Sequence, residues 1–215
     1  VPPPKLRVRG TGKTEGWLLS EVEALGQAIL AYYSGMGYTG TPVKMATIPD
    51  GYNCLENMQN CLGDNRDTVF ICPAYDVIKG AILPEQPPLT MADGEFLVCY
   101  GVQHPSVKKA TYSNISIMGW AHKDAPLVVT DQDMAGSAQE YLPGANPALY
   151  AYQIARKNGC LTQHCKELGT DCTSGIATDE VVAPVFRAYV EPATKVGPAW
   201  GEVILDRIIK FTPSH

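Results

Sequence analysis

The stretch DGEFLVCYGV, residues 93–102, joins a turn signal to a short apolar run. The Asp-Gly pair is typical of a tight turn, and the run after it has the length and composition of a β-strand. Similar runs recur along the chain, at Thr68–Cys72, Ala110–Met118, Pro126–Thr130, Val185–Val190 and Glu202–Phe211. Together these runs predict a β-rich fold.

Helix signals occur at three places. Ser20 and Glu23 match a capping box, and the helical spacing of apolar residues after them stops at Gly35. The other signals predict a short helical turn at Asn53–Met58 and a helix from Asn146 to Gly159. Strands and helices do not alternate regularly, which disfavours a doubly wound parallel sheet. We therefore expect an α+β, β-rich fold, either an antiparallel sheet or a jelly-roll-like sandwich, with two or three peripheral helices.

The composition fits one loop-rich domain. The chain has 215 residues, a net charge of −5, 18% charged residues, 20 Gly and 17 Pro. Residues 1–13 contain basic side chains and no acid, so residues 1–19 are predicted to form a basic, Pro-rich arm and residues 20–215 a single disulfide-stabilised domain. The acidic balance argues against a nucleic-acid partner, which needs a basic face. No run approaches the ~20 apolar residues of a membrane-spanning helix, so no span is expected.

The cysteines indicate an oxidising compartment. Clustered cysteines among loop-forming residues are typical of disulfides, and the predicted disulfide cysteines are Cys54, Cys61, Cys160, Cys165 and Cys172, in a connectivity that the spacing leaves open. Cys72 and Cys99 lie inside apolar runs and fit buried thiols instead. The chain begins Val-Pro-Pro-Pro without methionine, which favours a processed, secreted or extracytoplasmic product. Asn114 starts a glycosylation sequon inside a strand-like run.

Polar residues that precede the strand at Thr68 are the first candidates for chemistry. Two carboxylates flank a guanidinium there, a grouping that serves general acid–base catalysis or binds a sugar or carboxylate, but that also occurs as a structural salt bridge with an Asx turn. His104 follows a predicted strand, although a lone histidine in a turn is more often a surface residue. The candidate catalytic residues are Asp64, Arg66, Asp67, His104 and Tyr112.

A second set of residues points to binding. Alternation along a strand places Arg187 and Tyr189 on one face, opposite Phe186 and Ala188. An arginine and a tyrosine that project together face either a ligand or solvent. With Asn65 beside the carboxylates, these two residues form the predicted binding set.

Two motifs resemble cofactor sites but lack essential parts. The stretch RGTGKT, residues 9–14, ends like a phosphate-binding loop, yet Arg7 stands where the first glycine belongs. Cys160, His164, Cys165 and Cys172 do not follow the paired spacing of zinc sites. The sequence therefore predicts neither a cofactor nor a metal site.

Two stretches resemble a known family. Residues 65–70, NRDTVF, are similar to the Asn-x-Asp-Thr-x-Tyr element of the DUF1254 proteins, a group of exported bacterial proteins of unknown function. Residues 186–192, FRAYVEP, with Trp200 after them, resemble the closing Arg-x-Tyr-x-Pro…Trp pattern of the companion DUF1214 domain. Phe70 stands where the family pattern has tyrosine, and the cysteine loop at 160–172 is not part of it. The resemblance implies an exported, β-rich fold and carries over no catalytic residue.

Taken together, these features predict an exported domain that acts as a ligand-binding or surface-assembly module. Its expected partners are a small molecule or glycan, or a protein or second copy bound through residues 1–9. Two alternatives remain: a hydrolase or lyase that uses the Asp/Arg/His cluster, and a subunit of a larger complex or filament docked through its N-terminal arm.

Overall fold

The computed structural model describes residues 8–47, 66–73, 75–76, 81–82, 87–121, 124–171 and 175–214. Its α-helices are α1 (Leu19–Ser34) and α2 (Asp131–Met134). Its strands are β1 (Tyr38–Val43), β2 (Met45–Thr47), β3 (Thr68–Pro73), β4 (Tyr75–Asp76), β5 (Ala81–Ile82), β6 (Phe96–Val102), β7 (Tyr112–Gly119), β8 (Leu127–Thr130), β9 (Leu149–Arg156), β10 (Cys165–Leu168), β11 (Val182–Tyr189) and β12 (Arg207–Pro213). Short 3₁₀ turns occur at Gly16–Leu18, Ser137–Glu140 and Trp200–Glu202.

Two five-stranded sheets form the body of the protein. The first has the order β1-β12-β6-β9-β10 and the second the order β2-β3-β11-β7-β8, while β4 and β5 form a separate hairpin. All pairings are antiparallel except that of β9 with β10. The predicted α+β, β-rich sandwich is therefore confirmed.

The layers are a helix, the first sheet and the second sheet. Leu97 and Cys99 of β6 share a core with Ile115 and Phe186 of the second sheet. The alternate β6 residues, such as Phe96 and Val98, pack in a second core with α1. Because β6 is covered on both faces, every one of its residues is buried, which explains its continuous apolar run.

Helix α1 differs from its prediction at the first turn. It begins at Leu19, and its N-cap Leu18 makes no side-chain cap, so the capping box of Ser20 and Glu23 is not used to start the helix. The 3₁₀ turn before it is fixed instead by the Leu18 amide, which donates to the Glu15 carbonyl. The chain therefore enters the helix from a turn attached to the body of the protein.

The helix predicted from Asn146 to Gly159 is wrong, because this segment contains strand β9. Its side chains alternate between the two cores: Tyr150 and Tyr152 face the second sheet, and Leu149 and Ala151 face α1. The Asn146 side chain accepts a hydrogen bond from the Ala148 amide at 3.0 Å, which makes a turn and not a helix cap. Burial on both faces removed the polar alternation that would have marked a strand.

The other predicted strands are present with shifted ends. The last of them begins at Arg207, because Trp200–Glu202 forms a 3₁₀ turn. Strands β1, β2, β4, β5 and β10 have no counterpart among the predicted strands. The helical turn predicted at Asn53–Met58, the candidates Asp64 and Asn65, and the cysteines Cys54, Cys61 and Cys172 lie outside the described residues.

Candidate functional site

His104 lies at the centre of a buried ionic network. His104 lies two residues after the end of β6 and is 2% exposed, so the expectation of a surface histidine is wrong. Its Nδ1 lies 2.8 Å from Oε1 of Glu15, and its Nε2 lies 3.5 Å from Oδ2 of Asp206. The Tyr150 hydroxyl donates to Oδ1 of Asp206 at 2.6 Å, and the Ile204 amide donates to Oε2 of Glu15 at 2.7 Å.

The network keeps His104 protonated at neutral pH. Burial lowers the pKa of this imidazole, but the charge of Glu15 and the hydrogen bonds with Asp206 and Glu15 outweigh burial and raise the pKa from 6.5 to about 10. A protonated histidine held between carboxylates does not act as a general base. The network therefore joins four distant parts of the chain through Glu15, His104, Tyr150 and Asp206.

The space beside the network is small. A cavity of about 10 Å³ is lined by residues that include His104, Tyr150, Asp206, Met134 and Phe186. That volume holds about one water molecule. The cavity that His104 lines is thus too small for a substrate, which supports a structural role for this histidine.

A second ionic cluster fastens the segment before α1 to the body. The buried Lys109 ammonium lies 2.8 Å from Glu191 and 2.5 Å from Glu202, and it donates to the Thr11 hydroxyl at 3.1 Å. Glu202 also accepts from the backbone amides of Thr11 and Gly12, at 3.0 and 2.5 Å. Burial raises the pKa of Glu202, but the Lys109 hydrogen bond and the two amides lower it more, so the net shift is downward.

The segment held at both ends by these clusters, residues 11–15, forms one wall of a groove. This groove, called here the Trp17 groove, has a volume of about 600 Å³ and is lined by Lys13, Thr14, Glu15, Trp17, Ser106, Val107, Lys108, Lys109, Asn146, Pro147 and Ala148. The indole of Trp17 is 61% exposed. A volume of this size is typical of sites that bind small molecules.

The accessible charges of the Trp17 groove are positive. Lys13 and Lys108 are exposed, and neither forms an ion pair within the part of the chain that the structure describes. Glu15 lines the same groove, but its carboxylate is paired with His104. Lys108 has a left-handed backbone, with φ 62°, in the tight loop that carries His104 inward. Such backbone strain is common where a loop places a binding side chain.

The predicted binding residues Arg187 and Tyr189 lie on the outer face of the second sheet. Tyr189 is in register with Tyr112, and Arg187 with Asn114. The two tyrosine rings are 5.6 Å apart, and the Asn114 amide donates to the Tyr112 hydroxyl at 3.1 Å. Phe186 and Ala188 are buried on the opposite face, as the alternation predicted.

Arg187 is held by its neighbours on that face. Its guanidinium donates to the Ser116 hydroxyl and lies 5.5 Å from the centroid of the Phe70 ring. Asn114 and Ser116 of the glycosylation sequon are thus both engaged in the sheet, and modification of Asn114 stays a prediction.

The proposed catalytic set is not assembled around His104. The other described candidates, Arg66, Asp67 and Tyr112, do not line the small cavity that His104 lines. Arg66 and Asp67 lead into β3, where their carbonyls accept from the amides of Gly197 and Val190, each at 2.7 Å.

The cysteine predictions are confirmed where the structure describes them. Cys160 and Cys165 form a disulfide, so their sulfurs are not metal ligands. His164 between them lies 2.6 Å from Glu140 through its Nδ1. Cys72 and Cys99 are free and buried, and burial raises the pKa of both thiols, that of Cys72 to about 11.

Sequence reasoning missed the Trp17 groove. Its walls come from three separate segments, and the sequence around Trp17 carries no motif that marks a binding site. Nothing in the local sequence marks Glu15 or Asp206 as important. Their contacts with His104 cross 89 and 102 residues of the chain and exist only in the folded protein.

No protein-family model matches the chain, and no curated protein matches it either. The resemblance to the DUF1254 and DUF1214 proteins therefore stays a prediction. Among the described residues, no helix is both long and apolar enough to cross a membrane.

Proposed function

We propose that the chain is an exported ligand-binding module and that the Trp17 groove holds an anionic ligand. The observation that carries this proposal is a groove of about 600 Å³ whose accessible charges are those of Lys13 and Lys108. The chain as a whole has a net charge of −5, so this basic groove is a local feature of an acidic protein. A carboxylate or phosphate that enters it gains two cations without displacing an existing ion pair.

The Trp17 groove is supported by rigid elements. Its wall at residues 11–15 is fixed by Glu202 at one end and by the pair of Glu15 and His104 at the other. A site that is held in place before the ligand arrives loses less conformational entropy on binding. The two ionic clusters therefore serve the groove indirectly, by keeping its walls in position.

Export is supported by the disulfide of Cys160 and Cys165. Disulfides persist in oxidising compartments and are rare in the reducing cytosol. A role for residues 1–9 in assembly stays a prediction, because residues 1–7 lie outside the described residues.

The proposal is tested by calorimetric titration with three simple anions: citrate, benzoate and galacturonate. We expect at least one of them to bind the wild-type protein. The double variant K13Q/K108Q should bind that anion at least about tenfold more weakly, because a loss of about 1.4 kcal/mol of binding free energy lowers the affinity by that factor. The control K157Q removes an exposed lysine in the turn after β9, outside the groove. Absence of binding by all three anions, or equal binding by wild type and K13Q/K108Q, would overturn the proposal.

A further inference from the structure

We propose that the ligand of the Trp17 groove is a carboxylated sugar, of the uronic-acid type; this inference rests on the proposed anion-binding function. It follows from two properties of the groove. One is the set of hydrogen-bond donors on its walls, which adds the Asn146 amide to the two lysines, and the other is the exposed Trp17 indole.

Several side-chain hydrogen-bond donors line the groove. The ammonium groups of Lys13 and Lys108 only donate. The amide oxygen of Asn146 is already used by the Ala148 amide at 3.0 Å, so its NH₂ group is left to donate. The one carboxylate of the groove, that of Glu15, accepts from the Ile204 amide and pairs with His104 inside the protein. A donor-rich wall is complementary to a ligand rich in acceptor oxygens, as the carboxylate and hydroxyls of a sugar acid are.

The indole of Trp17 selects for a ring. Its exposed fraction of 61% leaves a large apolar surface facing water next to polar groups. A pyranose ring has a C–H face that packs on an aromatic ring while its hydroxyls point to the surrounding donors, which removes apolar surface from water on both sides. A ringless anion would satisfy the lysines and leave the indole exposed. A neutral sugar would cover the indole and leave the lysines without a counter-charge.

Three matched ligands separate these possibilities: trigalacturonate, its fully methyl-esterified form, and citrate. The first has rings and charge, the second has the same rings without charge, and the third has charge without rings. Calorimetric titration of the full chain should give trigalacturonate an affinity at least about tenfold higher than either of the others. The W17A variant should lose most of that advantage, because it lacks the indole on which the sugar ring packs. Trp17 is exposed, so its removal leaves the core intact.

A second tryptophan supplies the matched control. Trp200 is 55% exposed and does not line the groove, so W200A should bind trigalacturonate within about twofold of wild type. If citrate binds as tightly as trigalacturonate and W17A changes nothing, the sugar inference is overturned and the anion-binding function stands. If the methyl ester binds as tightly as trigalacturonate, or if neither anion binds, the anion-binding function is overturned together with it.

Discussion

The His104 imidazole and the Glu15 carboxylate lie 2.8 Å apart and are both almost fully buried, although 89 residues separate them in the chain. This pair fastens the segment before α1 to the end of β6. Through it, the core of the protein and the wall of the Trp17 groove are held by the same contact.

Removal of His104 should destabilise the protein strongly. The H104Q variant leaves the buried carboxylates of Glu15 and Asp206 without a cation, which typically costs about 3–5 kcal/mol. The free energy of unfolding, measured with urea, should fall by about that amount. The control H164Q changes a histidine whose side chain is 29% exposed, and should cost about 1 kcal/mol or less. Equal effects of the two substitutions would contradict the buried network.

The stability of the wild-type protein should depend on pH in a defined window. The pKa of His104 is raised in the folded state from 6.5 to about 10, so the folded state binds the proton more tightly than the unfolded state. The stabilisation by His104 is therefore complete below pH 6.5 and is lost as the pH rises to about 10. Urea titrations across this window should show a steeper decline for wild type than for H104Q. Parallel pH profiles would rule out this role of His104.

The Glu202 cluster should hold the wall of the groove against exchange with solvent. E202Q removes the charge that pairs with Lys109 and weakens the acceptor for the amides of Thr11 and Gly12. Amide hydrogen exchange of a peptide covering residues 8–18 should become faster in E202Q. E23Q, a change at an exposed position on α1, is the matched control and should leave that peptide unchanged. In the wild-type protein, the protection of the same peptide against exchange should also fall at acid pH. The pKa of Glu202 is lowered in the folded state, so the stabilisation by its carboxylate is lost as the pH falls and the carboxylate is protonated.

The two buried thiols should be unreactive in the native protein. Cys72 and Cys99 are both free and buried, and only the thiolate reacts with an alkylating reagent. Mass spectrometry after native alkylation should find neither modified, and alkylation after unfolding without reductant should modify both. A peptide pair linked through Cys160 and Cys165 should survive until reductant is added. Native modification of Cys72 or Cys99 would contradict their placement in the fold.

A pair of glycines tests the attachment of β3. A Cβ added at Gly197 would lie 2.7 Å from the backbone nitrogen of Thr68, whereas one added at Gly201 meets nothing within 4 Å. G197A should therefore destabilise the protein by about 1–3 kcal/mol, the usual range for overpacking. G201A should stay within about 0.5 kcal/mol of wild type in the same urea titration. Equal stabilities would show that the two segments do not approach each other this closely.

Much of the fold could be predicted from the sequence, because an apolar run next to turn-forming residues identifies a strand without any knowledge of its partners. Strand β6 is an example, since burial on both faces makes its sequence continuous and apolar. Strand β9 was mistaken for a helix because Asn146 and Gly159 look like caps, while its alternation between two apolar cores leaves no polar face to reveal the period.

The candidate site was far less predictable. Arg187 and Tyr189 do share a face with Tyr112 and Asn114, which follows from strand alternation and register. The Trp17 groove depends instead on three segments that meet only in the folded chain. Local sequence patterns cannot predict such long-range contacts. Glu15 lies in a segment that is predicted as a basic arm, and its partner His104 is in a turn that is typical of surface residues.

The most direct measurement is an NMR titration of the tryptophan indole N–H resonances with trigalacturonate. The chain has three tryptophans, at positions 17, 120 and 200, and only Trp17 lines the groove. We predict that the Trp17 resonance, assigned through its loss in W17A, shifts in a saturable manner, while the Trp200 resonance stays in place. A Trp17 resonance that does not move at saturating trigalacturonate would contradict the assignment of the groove as the binding site.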